Sequence, residues 1–221
     1  MVLLSGGIDS SVCAALACRE FGSENVLALS LFYGQKHAKE LEAAKNVARF
    51  LGLSDHMTQE LPDIFRGGGS TLIDSERPNP EATYEELRQK QGPSPTYVPF
   101  RNANLLSVAT TVAMVKGADT LYYGAHAEDG RNWAYPDCTP EFNGAMAGAI
   151  FIGSYMKVRL LTPLQWLTKS EVVALGRDLG VPFELTWSCY NGLAKACGSC
   201  PACASRLAAF AANGLVDPIG Y

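Results

Sequence analysis

Short apolar runs alternate with amphipathic segments along this chain, and the alternation predicts a parallel β-sheet covered by helices. The first apolar run, residues 2–4, precedes a segment over 9–21 whose apolar positions recur at helical spacing. Residues 26–32 are almost wholly apolar, which is typical of a strand that is buried on both faces. A second helix is expected over 37–51 and a third strand over 56–60.

The second half of the chain continues the same alternation. Apolar residues at helical spacing predict a helix over 102–116, and the next apolar run predicts a strand over 120–124. A further helix is expected over 170–179, where Thr168 and Glu171 have the spacing of a capping box. Strands and helices therefore alternate along both halves of the chain.

The segment between these halves, residues 62–99, has no clear hydrophobic period. It contains six of the twelve prolines and the triplet Gly67–Gly69, with only a weak helical pattern over 81–90. A segment of this length is either disordered or a functional loop over a site. We favour the functional loop.

Composition and charge narrow the functional class. The 221 residues suit one α/β domain, with or without a small appendage. The net charge of -4 and the absence of Lys or Arg runs argue against a nucleic-acid partner and favour a small-molecule substrate. No apolar run approaches the roughly 18 residues of a membrane span, and the first residues lack the basic region of a secretion signal. We therefore expect a cytoplasmic protein with no membrane association.

The sequence SGGIDSS, residues 5–11, follows the first predicted strand. A glycine pair at this position lets the backbone turn tightly and brings N–H groups towards an anion, and the start of the next helix adds its dipole. Three serine hydroxyls add further donors. The motif predicts a phosphate-binding loop, although its spacing matches neither the Walker A loop nor GxGxxG. The alternative is a glycine turn that only joins a strand to a helix.

Four of the seven cysteines lie near the end of the chain, at Cys189, Cys197, Cys200 and Cys203. Four thiolates complete a tetrahedral zinc shell with no open position, so the predicted site is structural. Pro201 is expected to begin the last helix, which would place Cys203 in its first turn. Core cysteines and a redox dithiol are the alternatives.

Five motifs in order extend this interpretation over essentially the whole chain. SGGIDS resembles the ATP-binding loop of the PP-loop pyrophosphatase class, which splits ATP between its α and β phosphates. The other four motifs are SLFYGQKH (30–37), TYVPFRN (96–102), YPDCTPEF (135–142) and LTWSCYNG (185–192). Together and in this order, the five motifs resemble those of the QueC/ExsB family of 7-cyano-7-deazaguanine synthases.

The resemblance implies both a fold and a reaction. The fold is α/β: a Rossmann-like (HUP or adenine nucleotide α-hydrolase-like) parallel sheet of five strands, with helices on both faces and a zinc-binding C-terminal lobe. The implied domains are 1–185 for ATP binding and 186–221 for the lobe. The implied reaction converts 7-carboxy-7-deazaguanine, ammonia and ATP into 7-cyano-7-deazaguanine through an adenylate and an amide. The implied cofactors are ATP, Mg²⁺ and structural Zn²⁺, and whether the chain is a homodimer stays open.

The resemblance also assigns roles to residues. We expect Asp9, Ser10 and Arg101 to be catalytic, and Asp9 to contact magnesium or pyrophosphate. ATP is expected to contact two groups of residues: Leu4, Ser5, Gly6, Gly7, Ile8, Asp9, Ser10 and Ser11 in the loop, and Leu31, Tyr33 and Gln35 after the second strand. The deazaguanine is expected to contact Arg101, Tyr135, Asp137 and Glu141, and the zinc ligands are Cys189, Cys197, Cys200 and Cys203. His126, Glu128 and Asp129 are placed only near the site.

Several of these residues have simpler interpretations. Arg101 is alternatively part of a structural ion pair, and Asp137 or Glu141 a cap of the helix that follows. Tyr33 and Tyr135 are alternatively core residues. Phe100 and Trp133 are bulkier than the motif leads us to expect, and this leaves the choice of deazapurine open.

Three other functions compete with the synthase. One is a related enzyme that stops at the amide or joins the activated carboxylate to another amine. Another is a zinc-ribbon binding module with a degenerate nucleotide fold. The last is a PP-loop thiolation enzyme, which would need a catalytic cysteine pair among Cys13, Cys18 and Cys138.

Overall fold

The computed structural model describes residues 1–36, 39–74, 76–89 and 92–221. Within these ranges a single five-stranded sheet has the order β3-β2-β1-β4-β5, and every neighbouring pair is parallel. The strands are β1 (Val2–Leu3), β2 (Leu27–Phe32), β3 (Asp55–Glu60), β4 (Thr120–Tyr122) and β5 (Arg159–Leu161). The predicted Rossmann-like parallel sheet is confirmed.

Helices connect the strands close to the positions that periodicity predicts. They are α1 (Ile8–Phe21), α2 (Lys39–Leu51), α3 (Tyr84–Arg88), α4 (Arg101–Lys116), α5 (Pro140–Gly153), α6 (Lys169–Asp178) and α7 (Pro201–Ala212). The predicted start of α2 at His37 lies outside the described residues. Thr168 and Glu171 form the predicted capping box of α6. No helix in the described ranges combines the length and apolar character that crossing a membrane requires.

Alternate residues of the central strand enter two separate cores. Val2 packs with α1, α6 and α7, whereas Leu3 packs on the other face with α4 and α5. Because side chains alternate across a strand, an apolar run can supply both cores. Helices therefore cover both faces of the sheet, as predicted.

The strand order places a crevice beside β1. Helix α1 and strand β2 follow β1 on one side, and β4 pairs with its other edge. Open parallel sheets bind ligands at such a point, beyond the carboxyl ends of the strands. The loop after β1, residues 5–7, lies at this point of the fold.

The long segment over 62–99 packs against the rest of the fold in its described parts. The backbone N–H of Ser94 donates to the carbonyl of Ala134 at 3.1 Å, and Thr96 and Val98 are buried. Helix α3 begins with a capping box between Thr83 and Glu86. The described parts of this segment are therefore an ordered loop rather than an independent unit.

The C-terminal residues pack with the sheet. Ala209 and Phe210 of α7 belong to the same core as α1 and α6. The Arg206 side chain is fully buried and pairs with Asp217, with Nε 2.6 Å from Oδ2. The division at residue 185 into two domains stays a prediction.

Candidate functional site

A cavity of about 280 Å³ opens at the carboxyl ends of β1, β2 and β4. Its walls come from five parts of the chain that are distant in sequence. The segments after the three strands supply Ser5, Gly7, Asp9, Ser10, Tyr33, Gln35, Tyr123 and His126; the long loop adds Leu72 and Tyr84, and the C-terminal part adds Trp187, Ser188 and Tyr190. The cavity lies where the strand order predicts a ligand site.

The loop after β1 has the shape that its glycines and serines impose. Gly6 has φ +86°, and a Cβ there would collide with the backbone of Glu40 and Ala44. The Ser10 hydroxyl accepts from the Ser5 N–H at 3.1 Å, and the buried Ser11 hydroxyl donates to the Gly7 carbonyl at 2.8 Å. Ser11 and Gly6 therefore shape the loop without lining the cavity, whereas Ser5, Gly7 and Ser10 line it, as do Leu4 and Ile8.

Asp9, in the first turn of α1, forms an ion pair that the sequence analysis missed. Lys169 Nζ lies 2.7 and 2.6 Å from its two carboxylate oxygens. Burial alone would raise the pKa of Asp9, but the charges of Lys169 and His126, together with the hydrogen bonds from Lys169 and the backbone, outweigh burial and lower that pKa. Lys169 is the first residue of α6, after the N-cap Thr168, and α6 packs against α1. Its position directly after the predicted N-cap was the only sequence feature that pointed to Lys169. The pair places one lysine beside the predicted phosphate loop.

Arg101 begins α4 and lines the cavity beside Tyr33. Its Nη1 donates to the Tyr33 hydroxyl at 3.1 Å, and its guanidinium lies 5.2 Å from the centre of that ring. Within the described ranges no carboxylate forms an ion pair with Arg101. The alternative of a structural ion pair is therefore not observed there. Gln35 supports the same wall, because its Oε1 accepts from the Tyr33 N–H at 2.8 Å.

Glu40 is a second cavity residue that the sequence analysis did not identify. It lies in the first turn of α2 and lines the cavity together with Arg101. Burial raises the pKa of Glu40 to about 7, although the charge of Arg101 opposes this change. The cavity therefore contains a carboxyl group that titrates near neutrality.

The structure does not bring Asp137 or Glu141 to the cavity wall. Asp137 is buried, and its Oδ2 accepts from the backbone N–H of Asn102 in the first turn of α4 at 2.9 Å. Burial raises the pKa of Asp137, and the hydrogen bond from Asn102 opposes this. Glu141 is exposed in the first turn of α5, whose cap is the Thr139 hydroxyl. The predicted contacts of both carboxylates with the deazaguanine have no geometric support, because one holds α4 and the other faces solvent.

Tyr135 does line the cavity, within a group of three tyrosines. Its hydroxyl bonds with Thr96 Oγ1 and donates to Ser94 Oγ at 3.2 Å, both on the long loop. Its ring meets that of Tyr84 edge to face with centroids 6.1 Å apart, and the Tyr84 and Tyr190 hydroxyls are 2.6 Å apart. The long loop and the C-terminal part thus meet at this wall.

Phe100 and Trp133 lie outside the cavity wall. Their side chains are 60% and 64% exposed, and both residues have positive φ, at 53° and 59°. Their bulk is therefore placed at the protein surface.

The four C-terminal cysteines converge as predicted. Their sulfur atoms all lie within 4.8 Å of one another, and Cys197 Sγ is 3.9 Å from Cys203 Sγ. A tetrahedral shell with bonds of about 2.3 Å places sulfurs roughly 3.8 Å apart, so the arrangement fits one metal ion. The N–H groups of Asn191 and Cys197 point at Cys189 Sγ, at 3.4 and 3.3 Å. Hydrogen bonds from Cys200 and Cys203 lower the pKa of Cys189, and the same contacts raise the pKa of Cys200 and Cys203, so the convergence of the four sulfurs is the observation that supports a metal site.

None of the three remaining cysteines, Cys13, Cys18 and Cys138, has an activated thiol, because burial raises the pKa of each. Cys13 is buried within α1, and burial raises the pKa of its thiol. Cys138 lines the cavity alone, accepts from Asn102 Nδ2 at 3.2 Å, and also has its pKa raised by burial. A thiolation enzyme that uses two such thiols finds no support in this arrangement.

Comparison with known proteins agrees with the geometry. The family model described as "Queuosine biosynthesis protein QueC" matches residues 1–214. Proteins of Koribacter versatilis and Acidobacterium capsulatum, both named 7-cyano-7-deazaguanine synthase, are 47% and 43% identical to this chain; the alignments cover all of it and 92% and 95% of those proteins.

A solved structure shows the likeness of fold alone. The U34-tRNA thiolase NcsA from Methanococcus maripaludis superposes with a TM-score of 0.52 at 18% identity, over 82% of this chain and 57% of the thiolase. The full-length sequence matches identify the family more closely and confirm the resemblance drawn from the five motifs. The chain is therefore an enzyme of the QueC family of queuosine biosynthesis proteins.

Proposed function

We propose that this chain uses ATP to convert 7-carboxy-7-deazaguanine and ammonia into 7-cyano-7-deazaguanine, and is thus a carbon–nitrogen ligase. The supporting observation is the composition of one cavity wall. It joins a loop suited to phosphate at the start of α1 with Arg101, a guanidinium that has no carboxylate partner in the described ranges. An enzyme that activates a carboxylate with ATP must bring the carboxylate and the phosphates together despite their repulsion, and the loop and Arg101 offer one binding group for each.

The loop after β1 would hold the phosphates. Ser5, Gly7 and Ser10 line the cavity there, and the N-terminus of α1 adds the positive end of its dipole. The Lys169 ammonium beside Asp9 supplies positive charge where pyrophosphate would leave. Mg²⁺ would arrive with the nucleotide and stabilise phosphate charge, since it is usually held by phosphates and one or two carboxylates, with Asp9 as the expected contact.

The adenine would lie beyond the end of β2. Leu31, Tyr33 and Gln35 all line the cavity on this side. Gln35 is held in place by two hydrogen bonds, since its Nε2 also donates to the Leu31 carbonyl at 3.4 Å. This wall offers apolar surface and fixed amide groups, the combination that nucleotide bases require.

The chemistry follows from the leaving groups. A carboxylate oxygen of the substrate attacks the α-phosphorus and pyrophosphate leaves, giving the acyl adenylate. Ammonia then adds to the acyl carbon, and AMP leaves to give the amide. A second ATP activates the amide oxygen in the same way with release of pyrophosphate, and loss of AMP and of both protons from the amide nitrogen gives the nitrile. In each activation Arg101 and Lys169 would stabilise the charge that develops on phosphate oxygens.

The metal site is proposed to hold structural zinc. Its four donors are all sulfurs, and three of the four cysteines are buried. A shell of four thiolates has no position for substrate. Zinc there would supply folding energy rather than catalysis.

Product mass and nucleotide stoichiometry test this proposal. The purified protein is incubated with ATP, Mg²⁺, labelled ammonia and 7-carboxy-7-deazaguanine. We expect labelled nitrile with two AMP formed for each product molecule. An amide with one AMP, or a conjugate with another amine, would indicate the related enzymes of the same class, and ADP as the nucleotide product would refute the adenylate mechanism.

A variant connects the activity to the cavity. Arg101→Lys keeps the charge but loses the planar fork, so turnover should fall roughly 100-fold. Arg159→Lys is the matched control, because Arg159 is exposed and packs on Phe151 away from the cavity wall. Equal activity of the two variants would remove Arg101 from the proposed mechanism.

A further inference from the structure

A carboxylate and three tyrosines form a part of the cavity wall that the phosphate loop does not use. Asp129 lines the cavity together with Tyr84, Tyr135 and Tyr190. Burial, and to a smaller extent the charge of Asp129, raises the pKa of each tyrosine hydroxyl. The carboxylate and the three tyrosines therefore share one cavity.

His126 fixes the orientation of the Asp129 carboxylate. The Glu128 N–H donates to His126 Nδ1 at 3.3 Å, so the ring proton of a neutral imidazole is on Nε2. His126 Nε2 lies 3.2 Å from Asp129 Oδ1, and the His126 N–H lies 3.5 Å from Oδ2. Each carboxylate oxygen thus has one partner and can accept again.

The same carboxylate is available to a ligand. Its side chain is 23% exposed, and in the described part of the chain no lysine or arginine forms an ion pair with it. Asp137, the carboxylate that the motifs suggested, has instead an oxygen engaged by the start of α4. Asp129 is therefore the better placed acceptor.

We propose that Asp129 accepts hydrogen bonds from the N1–H and the 2-amino group of the deazaguanine, while Tyr84 and Tyr135 pack beside its ring. This inference rests on the proposed function. The two donors lie on the six-membered ring, and the reacting carboxylate lies on the five-membered ring. A bound substrate thus directs its anionic end to Arg101 and its donor edge to Asp129. The fork of two oxygens selects the guanine-type edge, because an adenine-type edge presents an acceptor at N1.

The test compares two ligands in two proteins, with binding measured separately from turnover. Calorimetry gives the affinity of the zinc-loaded protein for 7-carboxy-7-deazaguanine and for its analogue without the 2-amino group. The wild type should bind the analogue roughly 10- to 100-fold more weakly, because one acceptor of a partly buried charge stays unpaired. Asp129→Asn should lose affinity for the substrate by a similar factor and discriminate little between the ligands, with ATP affinity within about twofold of wild type.

Two controls separate recognition from folding. Asp63→Asn changes an exposed aspartate and should leave all affinities unchanged. Zinc content and the thermal transition of Asp129→Asn should match the wild type. If Asp129→Asn misfolds, the wild type alone tests the proposal through its affinities for the substrate and for the analogue without the 2-amino group. Equal affinities would contradict a carboxylate that accepts hydrogen bonds from both N1–H and the 2-amino group.

The outcomes also separate this inference from the proposed function. If the wild type forms the nitrile and Asp129→Asn still prefers the substrate over the analogue without the 2-amino group, the role of Asp129 is overturned and the proposed function stands. Binding that depends on Asp129 without nitrile formation would support the assignment and overturn the function.

Discussion

Neutralising Asp217 should destabilise the whole chain, because it leaves the buried Arg206 guanidinium without its counter-charge. The two side chains are 0% and 1% exposed. Arg206 Nε and Nη2 donate to the two Asp217 oxygens at 2.6 and 2.9 Å, and Nη1 donates to Thr186 Oγ1 at 2.8 Å. The arginine therefore joins α7, the final residues and the segment that leads to the cysteines.

The magnitude follows from burial. Removing one partner of a buried, bidentate pair costs about 3 to 5 kcal/mol, because the other charge is left uncompensated. For a chain of this size each kcal/mol lowers the melting temperature by roughly 2 to 4 °C, so a fall of roughly 6 to 20 °C is expected. The exposed pair Arg177–Asp178, at 50% and 64%, should contribute less than about 1 kcal/mol.

Urea unfolding at a fixed excess of zinc measures this difference. The variants are Asp217→Asn, Arg206→Met, the double variant, and Arg177→Met as the control. The double variant should be more stable than the sum of the single losses predicts, by about 2 kcal/mol or more, since it leaves no unpaired charge. If Asp217→Asn costs no more than Arg177→Met, or if the single effects simply add, the pair does not hold the fold as argued.

Three further predictions concern the metal, the phosphate loop and pH. Cys197→Ser should reduce bound zinc below one ion per chain and lower stability with it, whereas Cys18→Ser, the control, should retain the metal. Metal analysis and thermal unfolding measure both effects. Full zinc content in Cys197→Ser would contradict the proposed site. Lys169→Met should lower the rate of AMP formation roughly 100-fold, because Asp9 loses its partner and the phosphates lose a cation. Circular dichroism should show an unchanged fold. Turnover within about twofold of wild type would exclude this role of Lys169. Burial raises the pKa of Glu40 to about 7 from an ordinary 4.5, so the folded state holds this proton more tightly and stability falls as pH rises through that interval. Glu40→Gln should abolish this loss, which amounts to roughly 3 kcal/mol between about pH 5 and about pH 8; a wild type and variant with parallel pH profiles would contradict the assignment.

Local signals made much of the fold predictable from sequence. The capping box of α6, the glycine that follows β1 and the apolar run of β2 each depend on neighbours within a few residues. Helix α7 begins at Pro201 as predicted, because proline is favoured at the first position of a helix. Strand β5 was not identified, because Arg159 begins it and Pro163 follows it closely, which breaks the apolar run that marked the equally short β1 and β4.

Long-range partners limited the prediction of the site. Lys169 lies 160 residues from Asp9, and only the packing of α6 on α1 brings them together. The family resemblance led us to expect that Asp137 contacts the deazaguanine, but the turn over Pro136–Cys138 places its carboxylate at the start of α4. The chemical type of each residue was informative, whereas its direction depended on tertiary packing.

The position of the four-cysteine cluster indicates how a metal bound there would affect a cavity that it does not enter. The segment before the cysteines lies against the phosphate loop, since the Trp187 N–H donates to the Gly6 carbonyl at 2.9 Å. Its neighbours Ser188 and Tyr190 line the cavity on either side of the ligand Cys189. A metal held by the four cysteines would fix Cys189, and with it one wall of the cavity and the carbonyl side of the loop. Because catalysis depends on local geometry within fractions of an ångström, we expect such a metal to affect function through position rather than through chemistry.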